Sequence, residues 1–153
     1  MQPIVALLGE VQRAMAPLFR ERGVRLAISD APPDLRIEVD PTQVGRALRN
    51  VLGNAAQHSR SGATVQVAVE ALPREALLRI TDAGPGIAPE DLPHVFERFY
   101  RADQARGAGE PRAGSGIGLT IARELLAANG GSIGVERTGP DGTTFLIGLP
   151  RAG

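Results

Sequence analysis

Residues 64–87 leave the backbone few choices. Val65, Val67 and Val69 alternate with Gln66 and Ala68, and a second extended run follows from Ala76 to Thr81. A period of two lays apolar side chains along one face of a strand. Leu72-Pro73-Arg74-Glu75 between the runs reads as a hairpin turn, so the two strands are expected as antiparallel neighbours. The second strand then delivers Thr81-Asp82-Ala83-Gly84-Pro85-Gly86-Ile87. Asp82 thus stands where a buried strand ends, and Gly84 and Gly86 let the chain turn tightly and approach something closely. Two readings fit. One is an ordinary turn built from turn-forming residues. The other is a carboxylate beside bare backbone, suited to a flat ligand that offers an N–H.

The helix expected before this hairpin carries an anomaly. Asp40 is a natural N-cap and Pro41 belongs in a first helical turn, so a helix should run from there to about His58. Val44, Leu48, Val51, Leu52 and Ala55 form its buried side. Arg46, Asn50, Asn54 and His58 recur every fourth residue and share a stripe. Asparagine is a poor interior helix residue. A pair one turn apart is either two solvated amides or a metal or phosphate site, since an amide oxygen is a hard ligand for Mg²⁺.

Elsewhere the pattern is that of one α/β domain. Ile4 to Arg22 reads as a helix with Val5, Leu8, Val11, Met15 and Leu18 on its apolar stripe, ended by Gly23. Val24–Ile28 and Leu35–Val39 read as short strands. From Ile87 to Gly114 regularity weakens; Pro89-Glu90-Asp91-Leu92 suggests one helical turn, and Val95 to Arg101 gathers most of the aromatic side chains. A long, weakly patterned stretch in a small domain is either a functional lid or a plain surface excursion. Gly114-Ser115-Gly116-Ile117-Gly118-Leu119 opens another helix, to Ala128, and glycines at a helix start suit an anion. Two strands close the chain, Ser132 to Arg137 and Thr143 to Leu149, joined by Gly139-Pro140-Asp141-Gly142.

Composition excludes several chemistries. The chain of 153 residues has room for one core, and 42% hydrophobic residues suffice to fill it. No cysteine is present, so there is no disulfide, thiol nucleophile or cysteine zinc site. No lysine is present either, which removes a P-loop, a Schiff base and a kinase of the lysine-on-strand type. Any phosphate must be held by arginine, backbone N–H groups or a metal. The net formal charge of zero argues against a nucleic-acid or membrane-surface binder. No apolar run reaches the ~18 residues of a membrane span.

In their order these motifs make the chain resemble the ATP-binding catalytic domain of sensor histidine kinases, within the superfamily that includes gyrase, Hsp90-type chaperones and MutL. The resemblance covers the chain from about Gly9 to Pro150, and Val95-Phe96-Glu97-Arg98-Phe99-Tyr100-Arg101 is similar to the phenylalanine box of those kinases. It implies an α+β fold: a two-layer α/β sandwich, its mixed, mainly antiparallel sheet covered on one face by about three helices (the Bergerat fold), with ATP between helices and lid. It further implies that Asp82 accepts the adenine amino proton, that Gly84 and Gly86 let the backbone pass under the base, that Ile87 also binds ATP, and that Asn54 and Asn50 hold Mg²⁺. Gln57 and His58 then face the phosphates. Gly114, Ser115, Gly116, Ile117, Gly118 and Leu119 shape the phosphate cradle and lid hinge, Tyr100 lies near the nucleotide, Thr144 joins the site, and Arg101 approaches the γ-phosphate.

Two departures stand out. Many family members carry lysine and tyrosine where this chain has Gln57 and His58, so a phosphate-contacting cation is lost, although His58 could supply a donor. The gyrase and MutL branch carries a water-activating glutamate where this chain has Asn50, which cannot act as a base; that favours transfer over hydrolysis. The catalytic assignments are therefore Arg101 and Asn50. The cofactors implied are ATP and Mg²⁺. The partners implied are a dimerisation and phosphoacceptor helical hairpin and a response regulator receiver domain, with no nucleic acid and no direct membrane contact. On this reading residues 1–22 lead in from the hairpin, 23–150 form the ATP-binding domain with a lid at about 88–114, and 151–153 are a tail, in a cytoplasmic setting. An anti-sigma-type serine kinase has similar Asn and Gly motifs, but the phenylalanine box argues against it; a non-catalytic nucleotide-sensing module is the remaining alternative.

Overall fold

The computed structural model describes residues 1–97 and 118–152. Its elements, in chain order, are β1 (Gln2–Pro3), α1 (Ile4–Arg22), β2 (Arg25–Ile28), β3 (Arg36–Ile37), α2 (Pro41–His58), β4 (Thr64–Ala71), β5 (Glu75–Thr81), a 3₁₀ turn (Leu92–His94), α3 (Gly118–Ala128), β6 (Ser132–Gly139) and β7 (Gly142–Pro150). Five strands form one sheet in the order β2-β4-β5-β7-β6. β2 and β4 are parallel, because α2 carries the chain back across the sheet between them; the other pairs are antiparallel. The mixed sheet with helices on one face is the expected α+β sandwich.

Alternation decides which face the helices cover. Val65 and Val67 on β4, Ala76, Leu78 and Ile80 on β5, and Phe145, Ile147 and Leu149 on β7 are buried. They meet Val44, Ala47, Leu48, Val51, Leu52 and Ala55 of α2 in a single core. The opposite face is mixed, with Leu77 and Leu146 beside Arg79, Thr81 and Thr144. There Arg79 reaches Glu136 at 2.9 Å and Glu70 at 2.7 Å, and these two carboxylates raise the arginine's pKa further.

α2 is the central helix, packed against both α1 and α3. Its start is fixed twice. The Asp40 carboxylate accepts from the Thr42 and Gln43 amides, as expected of an N-cap. Asn129, just beyond α3, accepts from the Asp40 amide and donates to Gln43 Oε1 and Leu125 O, tying the end of α3 to the start of α2.

Three expectations change. The stripe on α1 is Ile4, Leu7, Leu8, Val11, Met15 and Phe19, whereas Val5 is exposed and Leu18 only half-buried. That stripe packs into the common core, so residues 4–22 contribute one layer of it. The expected strand Leu35–Val39 shrinks to β3, which pairs with β1 in a separate two-stranded sheet rather than joining the main one. Among the described residues no helix is long and apolar enough to cross a membrane.

Candidate functional site

The strand end at Asp82 is built around one carboxylate oxygen. Asp82 is 6% exposed, and its Oδ1 accepts from the Gly84 and Thr143 amides, both at 3.0 Å. The Asp82 amide returns a bond to the Thr143 carbonyl at 2.9 Å. Asp82 makes no other side-chain hydrogen bond among the described residues, which leaves Oδ2 as its unused acceptor. A carboxylate buried this deeply and held on one edge is a built acceptor, because burying a charge without partners is costly.

The glycines after Asp82 serve the protein's own backbone. A Cβ at Gly84 would run into the His58 carbonyl at the end of α2, 2.5 Å away. Gly86 has φ +88° and lies against the Gly139 carbonyl, and Gly142, at φ +143°, lies against the Asp82 carbonyl. The loop is thus clamped between α2 and the β6–β7 turn. Ser59 Oγ accepts from the Ala83 amide, Arg60 donates to the Ala83 carbonyl, and Thr138 Oγ1 accepts from the Ile87 amide.

Upstream along α2 a cleft of about 380 Å³ opens between α1, α2 and the start of α3. Asn50, Asn54, Gln57, Gly118 and Leu119 line it together, and Met15, Leu18, Arg22, Arg49 and Gly53 line it too. Asn50 donates from Nδ2 to the Gly118 carbonyl at 3.4 Å, which leaves Oδ1 as the free amide oxygen. From His58, against which the Asp82 loop rests, back to Asn50 is about 12 Å along the helix axis. One helix therefore connects the buried Asp82 carboxylate with the paired amides of the cleft.

The phenylalanine-box segment is anchored at Phe96. Its ring meets Phe145 edge-on at 6.2 Å, Thr120 Oγ1 donates to its carbonyl at 2.6 Å, and the Arg123 guanidinium lies 5.7 Å from its centroid. Tyr100, Arg101, Gly114, Ser115, Gly116 and Ile117 lie outside the described residues.

Two assignments shift. Thr144 is opposite Thr81, and the two hydroxyls lie 2.9 Å apart on the face away from the helices, because successive strand residues alternate. The threonine that touches Asp82 is Thr143, through its backbone. Arg46 and His58, placed on the Asn stripe by spacing, are not among the described lining residues of the cleft, whereas Arg49 and Gly53 are. Gly45 and Gly53, eight residues apart, were the overlooked signal. The absent side chain of Gly45 faces Leu7 at 3.7 Å and that of Gly53 faces Met15 and Leu18 at 3.8 and 3.9 Å, so α1 and α2 run side by side in the same direction. These are ordinary contact distances. Gly53→Ala is therefore expected to stabilise the fold by up to ~1 kcal/mol through helix propensity, read as a higher midpoint in chemical denaturation.

Comparison with known proteins agrees with this architecture. Residues 39–153 match the family described as histidine kinase-, DNA gyrase B-, and HSP90-like ATPase. The signal transduction histidine-protein kinase AfsQ2 of Streptomyces coelicolor is 39% identical over 122 residues, covering 80% of this chain and 22% of that protein. The sensor protein SrrB of Staphylococcus aureus is 33% identical over 150 residues, covering 98% of this chain and 25% of that protein. The chain thus spans about a quarter of the length of these curated relatives. Among solved structures, the mycobacterial sensor histidine kinase MprB superposes with a TM-score of 0.79 at 32% identity, covering 98% of this chain and 95% of that one. Full-length ShkA in complex with AMPPNP gives 0.79 at 30% identity, covering 99% of this chain and 31% of that one. The chain belongs to the histidine kinase-, DNA gyrase B- and HSP90-like ATPase family, as a catalytic ATP-binding domain of the sensor histidine kinase kind.

Proposed function

We propose that this chain binds Mg²⁺-ATP and passes the γ-phosphate to a histidine on a separate helical-hairpin domain, as the kinase module of a two-component signalling protein. The observation that carries the reading is Asp82: a buried carboxylate with Oδ1 consumed by two backbone amides and Oδ2 left over. That oxygen suits the amino group of adenine. Guanine would offer a carbonyl lone pair there, leaving a carboxylate facing an acceptor. The AMPPNP complex of the similar ShkA supports a nucleotide in this fold.

The donor set of the cleft also fits a phosphate-bound cation. Asn50 and Asn54 present neutral oxygen donors one turn apart, a hard-ligand pair suited to Mg²⁺, and their neutrality leaves the ion's charge for phosphate. Bound there, Mg²⁺ would supply charge neutralisation on the phosphates. The chain's own residues would orient the nucleotide: Asp82 selects the base, and the Gly118 carbonyl turns Asn50 by holding its Nδ2. Arg101 would meet the γ-phosphate, and an arginine there could stabilise charge developing in transfer. Asn50 cannot take a proton from water, which disfavours hydrolysis. The response regulator receiver domain is the proposed next acceptor.

The test is phosphotransfer from γ-labelled ATP to a helical-hairpin acceptor supplied in trans. The expected label is acid-labile and base-stable, on the acceptor's histidine. Label on serine, or release as free phosphate faster than transfer, would contradict the reading.

A further inference from the structure

Among the described residues, the charge lining the cleft comes from two that carry no assignment so far. Arg22 belongs to the last turn of α1 and Arg49 to the middle of α2, and both line the same cleft as Asn50, Asn54 and Gln57. Among the described residues the rest of the lining is amide, glycine or apolar, with no carboxylate. Neither arginine forms an ion pair or hydrogen bond among the described residues. Arg79 shows the contrast: its guanidinium is held between Glu70 and Glu136 on the far face of the sheet.

The local packing explains how both reach the cleft. Arg49, Gly53 and Gln57 recur every fourth residue and make one stripe of α2, next to the stripe of Asn50 and Asn54. Gly53 has no side chain to fill the space against Met15 and Leu18, so the seam between α1 and α2 stays open. The C-cap Gly23 of α1 lies against Ser61, just past the end of α2, which sets Arg22 at the level of the last turn of α2. Arg49 stands about 12 Å before Gln57 along the axis. The uncharged Gln57 and the two asparagines therefore lie between the two arginine positions, and the Arg49 guanidinium, folded back to 3.7 Å from where a Gly45 Cβ would stand, swings towards them to meet a phosphate. A triphosphate carries more negative charge than one divalent ion cancels, and guanidinium pairs with phosphate through two parallel N–H···O bonds.

We propose that Arg22 and Arg49 grip the phosphate tail of the nucleotide, supplying the positive charge that Gln57 lacks. The proposal rests on the reading that the cleft takes an adenine nucleotide, and the experiment separates the two. Binding of ATP, ADP and adenosine is measured by calorimetry for the wild-type chain, for Arg22→Gln, Arg49→Gln and the double variant, and for the double lysine variant Arg22→Lys/Arg49→Lys. Each single glutamine variant is expected to lose about fivefold in ATP affinity and the double variant more than tenfold, as for charged hydrogen bonds at a partly open site. ADP should lose less, and adenosine should stay within about twofold of wild type by the same reasoning. The lysine pair should recover part of the loss, since it restores charge without the fork. An unchanged ratio of ATP to adenosine affinity in the double glutamine variant would overturn the phosphate grip while leaving the nucleotide site standing. Failure of the wild-type chain to bind any of the three would overturn the nucleotide reading and the grip with it. A fold collapse would abolish adenosine binding as well, so the adenosine arm separates damage from lost charge.

Discussion

Asp82→Asn is expected to remove adenine-nucleotide binding while the fold survives. Asparagine keeps the shape of the side chain, and its Oδ1 can still accept from the Gly84 and Thr143 amides. The loss there is limited to the charge assistance of two hydrogen bonds, about 1 kcal/mol in stability. At the ligand edge the effect is far larger. Oδ2 becomes an NH₂ group, a donor aimed at the donor of adenine. One charged hydrogen bond is lost and two polar groups are left unpaired, together about 3 kcal/mol or more. That is at least about a hundredfold in affinity. Calorimetry with ATP, beside a denaturation curve of the same protein, separates the two effects. A variant that binds ATP as well as the wild type does would show that Oδ2 is not the base acceptor.

The second large effect concerns the frame that holds Asp82. Gly142→Ala places a Cβ on the Asp82 carbonyl oxygen, at a backbone φ of +143° that side-chain-bearing residues rarely adopt. Strain of ~1–3 kcal/mol adds to overpacking of similar size. The sum, about 2–6 kcal/mol, is a large share of the ~5–15 kcal/mol that holds a domain together. The denaturation midpoint should fall steeply and nucleotide binding should weaken with it, since the Asp82 backbone must shift. Gly118→Ala is the matching control. A Cβ there meets nothing within 4 Å among the described residues, so its denaturation curve should not move to lower denaturant. Equal stability of Gly142→Ala and wild type would show that the β6–β7 turn does not clamp the Asp82 loop.

Local chemistry made much of this fold legible before any coordinates. The N-cap at Asp40, the hairpin of β4 and β5 and the closing pair β6 and β7 each follow from short-range rules, and each formed where expected. What escaped depended on contacts distant in sequence. Periodicity chose Val5 over Ile4 and Leu7 because both patterns fit a helix; only the docking of α1 on α2 decides between them. Leu35–Val39 alternates well, yet it meets only the short β1 on one side and residues 150–152 on the other, so its pairing stays short. At the site, the asparagine pair and the Asp82 turn were readable because their residue types are poor choices for a plain helix or a buried strand end. Arg22 and Arg49 were not, because arginine on a helix surface is ordinary until a facing helix turns it into a lining. Gly84 and Gly86 were noticed for the right geometry, a close approach, but the approaching groups seen here are the backbone of α2 and of the β6–β7 turn.

The central claim is that Asp82 and the cleft along α2 form an adenine-selective nucleotide site. The most direct measurement titrates the wild-type chain with ATP and, separately, with GTP in the presence of Mg²⁺, reading heat of binding. Saturable binding of ATP in the micromolar to millimolar range, with no comparable GTP binding, is the predicted result. No saturation with ATP, or GTP bound as tightly as ATP, would contradict it.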